Sequence, residues 1–176
     1  YILVEQGKKL LIIDKHAAHE RMLFEKFKAN RDGIETQMLL APVTVTLSKE
    51  EYSAVLDNLD LLEKAGYHVE DFGGGMVIVN ECPTAVADAD LAEVIMELAG
   101  HLVTGQKELV PEKLDWIYHS TACRAAIKAG DKTTDYELNR FVESLLNNPD
   151  IRYCPHGRPV LVEMSRYEIE KNFGRV

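Results

Sequence analysis

Apolar and polar positions alternate over residues 1–5, break at Gln6-Gly7-Lys8, and become almost continuously apolar over 9–13. Two strand-like runs around a short polar break predict a hairpin. From 15 to 28 the period changes: Ala18, Met22, Leu23 and Phe27 recur at helical spacing, and Arg21 with Glu25 makes an i,i+4 pair. Residues 34–47 read as extended. Ser48 with Glu51 forms a capping box that opens a helix over 48–65, closed by Gly66. Strands at 67–72 and 76–80, joined by Gly73-Gly74-Gly75, and a helix over 90–103 complete a compact αββα unit. After a linker at 104–110, Pro111 opens an apolar helix reaching 129, stopped by Gly130. A helix over 135–147, a strand over 160–164 and a short helix capped by Ser165 end the chain.

The pattern predicts an α/β (α+β) protein of discontinuous design. Residues 1–42 plus 111–176 form one subdomain, and the unit at 43–110 is inserted into it.

Composition narrows the classes. With 176 residues, 46% of them hydrophobic, the chain can bury a core. Apolar runs such as 10–13 and 76–79 fall far short of the ~20 residues that cross a bilayer, so no membrane is expected and a cytoplasmic setting is. The abrupt start on Tyr1-Ile2-Leu3-Val4 suggests a piece of a longer protein. Twenty basic residues against twenty-nine acidic give a net charge of -9, the reverse of a free-standing nucleic-acid binder. If the substrate is a polyanion, another domain, a partner or bound cations must help hold it. Three cysteines argue for thiols or metal ligands rather than a disulfide framework.

The candidate chemistry sits in the outer pieces. Asp14 ends a buried strand where a helix begins, and His16 and Glu20 project one turn apart. Such an imidazole and carboxylate can share a divalent ion, although these three residues by themselves favour Asp14 as a helix cap and the other two as a solvated face. His19 lies around the helix from them and reads as surface. In Cys154-Pro155-His156 a thiolate and an imidazole, with proline fixing the backbone, can point at one ion. Cys123, on the apolar helix, is either a further ligand or core; Cys82 reads as core. Together Asp14, His16, Glu20, Cys123, Cys154 and His156 have the composition of a two-cation site bridged by Glu20, as used for phosphodiester cleavage. Composition and spacing leave a hydrolase and a structural zinc site level.

Motifs then point to a family. Asp14-Lys15-His16-Ala17-Ala18-His19-Glu20-Arg21-Met22-Leu23-Phe24-Glu25 resembles the D-Q-H-A-x2-E-x4-E motif of the C-terminal domain of endonuclease-type MutL mismatch-repair proteins, with Lys15 in place of Gln. Ala122-Cys123-Arg124, Cys154-Pro155-His156-Gly157-Arg158-Pro159 and Phe173-Gly174-Arg175 resemble that family's A-C-R, C-P-H-G-R-P and F-x-R motifs, in order over nearly the whole chain.

The resemblance implies a metal-dependent endonuclease that nicks duplex DNA in mismatch repair. His16, Glu20, Cys123, Cys154 and His156 match the metal-binding positions and Asp14 the essential aspartate, making Asp14, His16 and Glu20 the catalytic group. Zinc is expected as the tight ion, with manganese or another divalent cation in a more exchangeable site. Arg124, Arg158 and Arg175 are candidates for steadying phosphate, with structural roles equally open for Arg124 and Arg158. Glu25 reads as a packing or ion-pair residue.

The resemblance also implies a homodimer with an external regulatory part. ATP would act only through an N-terminal region, and a mismatch-recognition protein would be reached through the full-length protein. Gln37-Met38-Leu39-Leu40-Ala41-Pro42 resembles the family's signal for docking on the replicative sliding clamp, with Gln37, Leu39, Leu40 and Pro42 as contacts; an ordinary connector is the alternative. The competing reading of the whole is a non-catalytic dimerisation and clamp-docking module with structural zinc.

Overall fold

The computed structural model describes residues 1–30, 33–126, 133–154 and 157–175. They form an α+β fold of seven α-helices and two three-stranded antiparallel sheets, divided into two compact units, residues 1–23 with 126–176 and residues 24–125.

In the first unit, β1 (Ile2–Gln6) and β2 (Lys9–Ile13) form the expected hairpin. Gly7 takes the left-handed φ of 62° that the turn requires. β6 (Leu161–Ser165) pairs with the other edge of β2, giving the order β1-β2-β6. Alternation gives the sheet two faces. Ile13 on one of them packs with Ala17, Ala18, Leu145, Cys154 and Val160 in a single core, flanked by Ile2, Val4 and Leu161. The other carries Leu3, Ile12 and Val162 in one cross-strand row, and Leu3 and Val162 remain 64% and 50% exposed. Helix α1 (Lys15–Ala29) starts at the end of β2, and its alanines let it approach the core closely. α6 (Asp135–Leu146) and α7 (Arg166–Asn172) both start with capping boxes, Thr134 with Glu137 and Ser165 with Glu168.

In the second unit, β3 (Thr36–Thr46), β4 (His68–Gly73) and β5 (Met76–Pro83) form a sheet in the order β3-β5-β4. α2 (Lys49–Leu56), α3 (Leu59–Lys64), α4 (Leu91–Thr104) and α5 (Val110–Ala125) complete the unit. Val45, Val77 and Val79 from the sheet and Val55, Leu62, Val94 and Leu98 from the helices are buried. Gly66 has a φ of 86°, and a Cβ there would meet Thr36 Cγ2 at 3.0 Å and Pro83 Cγ at 3.3 Å. The turn after α3 therefore admits glycine only.

One expected element changes and others are refined. The single helix over 48–65 is two helices, because the Asn58 side chain donates to the Ala54 carbonyl at 2.8 Å and turns the chain there. The extended stretch becomes β3, a full edge strand. The subdomains expected from the sequence meet at 42/43 and 110/111; the division between the compact units falls inside α1 and after α5. Its physical cause is the second half of α1, where Phe27 stacks on Tyr118 with ring centroids 6.0 Å apart and Lys28 pairs with Asp115 at 2.8 Å. The predicted extension of α5 to residue 129 falls largely outside the described residues. No helix among the described residues is long and apolar enough to cross a membrane.

Candidate metal centre

Asp14 stands between β2 and α1. Its amide donates to the Val160 carbonyl at 3.0 Å, and its Oδ1 accepts from the Ala17 amide at 3.0 Å. The carboxylate thus caps α1. His16 and Glu20 follow one turn apart on the helix, as their spacing requires. His16 is exposed, whereas Glu20 is only 3% exposed. A carboxylate at that depth is costly unless a cation or hydrogen-bond donors compensate it.

His19 is half-buried rather than at the surface, edge-on to Phe141 with centroids 5.9 Å apart. Burial, with His16 and Lys15 nearby, lowers its proton affinity. Lys15 turns to Thr133, its Nζ 3.3 Å from the hydroxyl.

Cys154 is 3% exposed and shares the core with Ala17 and Ala18, two of the three residues between His16 and Glu20 in α1. Its loop is held by its own backbone: the Cys154 amide donates to the Arg158 carbonyl at 2.8 Å, the Gly157 amide to the Cys154 carbonyl at 2.9 Å, and Tyr153 bridges to Pro159. Asp14, Glu20 and Cys154 all belong to the first unit, with Cys154 packed against the first turn of α1. His156 lies outside the described residues. Arg158 and Arg175 are exposed.

Cys123 belongs to the second unit, half-buried near the end of α5, and Glu25 is half-buried in the same unit. Arg124 beside Cys123 is held from α4. Its Nε and Nη2 donate to Glu97 at 3.0 and 2.6 Å, and its Nη1 to Glu93 at 3.1 Å. Ser120 donates to the other Glu97 oxygen at 2.7 Å. Burial acts to raise the Glu97 pKa, but Ser120 and Arg124 outweigh it and hold the carboxyl below the ordinary glutamate range. One turn further in, the buried Tyr67 hydroxyl meets that of Thr121 at 2.9 Å. Cys82 is fully buried, as expected, and burial pushes its thiol pKa up. Sequence reasoning missed Glu93 and Glu97; their i,i+4 spacing, matching that of Ser120 and Arg124, was the available signal.

The clamp-like peptide lies in β3. The pairing of β3 with β5 shifts register between Met38 and Val43. Gln37, Leu40 and Pro42 are exposed, Leu40 completely so, while Leu39 is half-buried.

Thiolate, imidazole and carboxylate donors suit zinc, and imidazole with carboxylates suits a harder divalent ion. Among the described residues, no three such side chains converge closely enough to hold an ion. The donor types fit these ions, and His156, expected as a further ligand, lies outside the described residues.

The comparisons agree on a family. The profile of the MutL C terminal dimerisation domain matches residues 1–133. The DNA mismatch repair protein MutL of Clostridium tetani (strain Massachusetts / E88) is 36% identical over 179 residues, covering 100% of this chain and 29% of the relative. Those of Clostridium perfringens (strain 13 / Type A) and Clostridium botulinum (strain Loch Maree / Type A3) are 37% and 36% identical, again over the whole chain and over 26% and 27% of their own lengths. The chain thus spans less than a third of the curated relatives it matches. With the profile matching most of its residues and relatives aligned from end to end, the chain belongs to the MutL C-terminal dimerisation domain family.

Proposed function

We propose that this chain is the dimerising and DNA-nicking part of a mismatch-repair protein. The observation that supports the nuclease reading is the burial of the Glu20 carboxylate on α1, the helix that Asp14 caps and whose Ala17 and Ala18 pack with the buried Cys154. A structural helix face would leave Glu20 in water. Glu20, Cys154 and His156 would hold zinc. His16, Glu20 and Asp14 would hold a more exchangeable ion such as manganese. Cys123 is a further ligand by family resemblance.

Bound divalent cations would supply an activated water and stabilise the leaving oxygen. The protein's own part is positioning. Asp14 Oδ1 is committed to the Ala17 amide, so the other oxygen is the one that orients or deprotonates a water. Arg158 and Arg175, both exposed, are suited to holding phosphate. Arg124, already held by Glu93 and Glu97, supports a structural role instead.

Dimerisation is the property the family's name carries, and the row Leu3, Ile12, Val162 supports the open sheet face of the first unit as its surface, with a second copy as occupant. The register shift in β3, with Gln37, Leu40 and Pro42 outward, supports docking of that peptide in an apolar groove on the sliding clamp. Mismatch-recognition and ATP control are assigned to the longer protein, acting in the cytoplasm on double-stranded DNA.

The test is metal content per chain after dialysis, followed by manganese titration of wild type and Asp14→Asn. A tight zinc with a weaker manganese site lost in the variant supports the nuclease. One inert zinc and no second site favours the alternative, a dimerisation and clamp-docking module with structural zinc. Full nicking by Glu20→Lys in the intact protein would remove the assignment of Glu20.

A further inference from the structure

Beside the Cys154 loop lies a groove of about 360 Å³, whose walls include Arg152, Tyr153, Asn148 and Gln6, with Leu145 and Leu161 among its apolar residues. Arg152 and Arg158 stand on the two arms joined by the Tyr153–Pro159 bridge. Both are exposed, and among the described residues neither forms an ion pair. Arg124 and Arg166, by contrast, are held by carboxylates, Arg124 by Glu93 and Glu97 and Arg166 by Glu170.

The charge is also unevenly distributed. Of the 20 basic and 29 acidic residues, 12 basic and 11 acidic belong to the first unit, leaving 8 and 18 in the second. The surplus of acid is therefore a property of the second unit alone. The one carboxylate lining the groove, Glu163, is paired with Lys9 at 2.6 Å.

From these observations we infer that the Arg152–Tyr153 groove is a docking surface for the sugar–phosphate backbone of duplex DNA. This rests on the reading of DNA as the substrate. Phosphates recruit arginines that carry no carboxylate partner, and the exposed ring of Tyr153 offers a face to deoxyribose and a hydroxyl to phosphate. The surface is rigidly referred to Asp14: the Val160 amide donates to the Arg152 carbonyl at 3.0 Å, and the Asp14 amide donates to the Val160 carbonyl at 3.0 Å. The Arg152 backbone is thus tied through Val160 to the end of β2.

The experiment is binding of a short labelled duplex to the 176-residue chain, by fluorescence anisotropy, from low to physiological salt. Arg152→Gln and Arg158→Gln should each reduce the slope of log K against log salt by about one, and the double variant by about two. Tyr153→Ala should weaken binding about fivefold with the slope unchanged. Arg166→Gln, which removes a guanidinium already held by Glu170, should leave the slope alone. An unchanged slope in the double variant, or no binding at low salt, overturns the groove. Nicking by the intact protein is scored in parallel. Nicking by the wild type with an unchanged slope in the variants removes the groove and keeps the nuclease, whereas the expected slope change with no nicking by the wild type keeps the groove and removes the nuclease.

Discussion

The Asp14 amide and the Val160 carbonyl are joined at 3.0 Å, tying the end of β2 to the arm that returns from the Cys154 loop. Two segments about 146 positions apart in sequence thus meet at the residue whose carboxylate also caps α1.

That double duty can be separated. Asparagine caps a helix about as well as aspartate, so Asp14→Asn should stay within about 0.5 kcal/mol of wild type, whereas Asp14→Ala should lose about 1 kcal/mol. If both variants abolish nicking by the intact protein while only alanine shifts the urea midpoint, the carboxylate acts chemically. Wild-type nicking by Asp14→Asn would make Asp14 a cap and nothing more.

Glu97 predicts a pH dependence in the second unit. Ser120 and Arg124 hold its folded-state carboxyl below the ordinary range, against the opposing pull of burial. A depressed folded pKa contributes stability that is present above the unfolded pKa and lost as pH falls through the folded one. The side chain is 38% exposed, so solvent screening limits the effect to about 1 kcal/mol or less. Urea unfolding of wild type should weaken as pH drops below the ordinary glutamate range, and Glu97→Gln should flatten that decline. Parallel curves for the two proteins would deny Glu97 the role.

Much of this was legible where the causes are local. The hairpin announced itself through alternation around Gly7, and Ser48 with Glu51 marked the start of α2. The break at Asn58 was not legible, since it depends on one side chain choosing the Ala54 carbonyl over water. β3 read only as extended, because its partner β5 is some 40 residues away and Leu39-Leu40 interrupts its alternation. At the candidate site, the motifs singled out Asp14, Glu20 and Cys154, which all belong to the first unit. The burial of Glu20 and the capture of Arg124 by α4 depend on packing between segments, which spacing within one helix does not encode.

In the clamp-like peptide, exposure separates binding from folding. Leu40→Ala removes a side chain that touches solvent alone, so the melting temperature should stay within about 1 °C. Leu39→Ala, half-buried, should cost about 1 kcal/mol. Loss of tenfold or more in affinity for the sliding clamp in Leu40→Ala, with unchanged melting, would fit a docked anchor. Full affinity in the Leu39→Ala, Leu40→Ala double variant would leave the segment as an ordinary strand.

The open face of the β1-β2-β6 sheet gives the last prediction. Leu3, Ile12 and Val162 form one row across three strands, with Leu10 and Met164 in the next. In a monomer this apolar face would meet water; in a symmetric dimer it meets its own copy. Val162→Asp sets a charge against its counterpart across such a contact, and burying an unpaired carboxylate there costs several kcal/mol. In the isolated chain Val162 is 50% exposed, so the same change should barely affect the fold of the monomer. Analytical ultracentrifugation should therefore show a dimer for wild type and a folded monomer for Val162→Asp, with matching far-UV circular dichroism. A Val162→Asp dimer as tight as wild type would move the interface to another surface of the molecule.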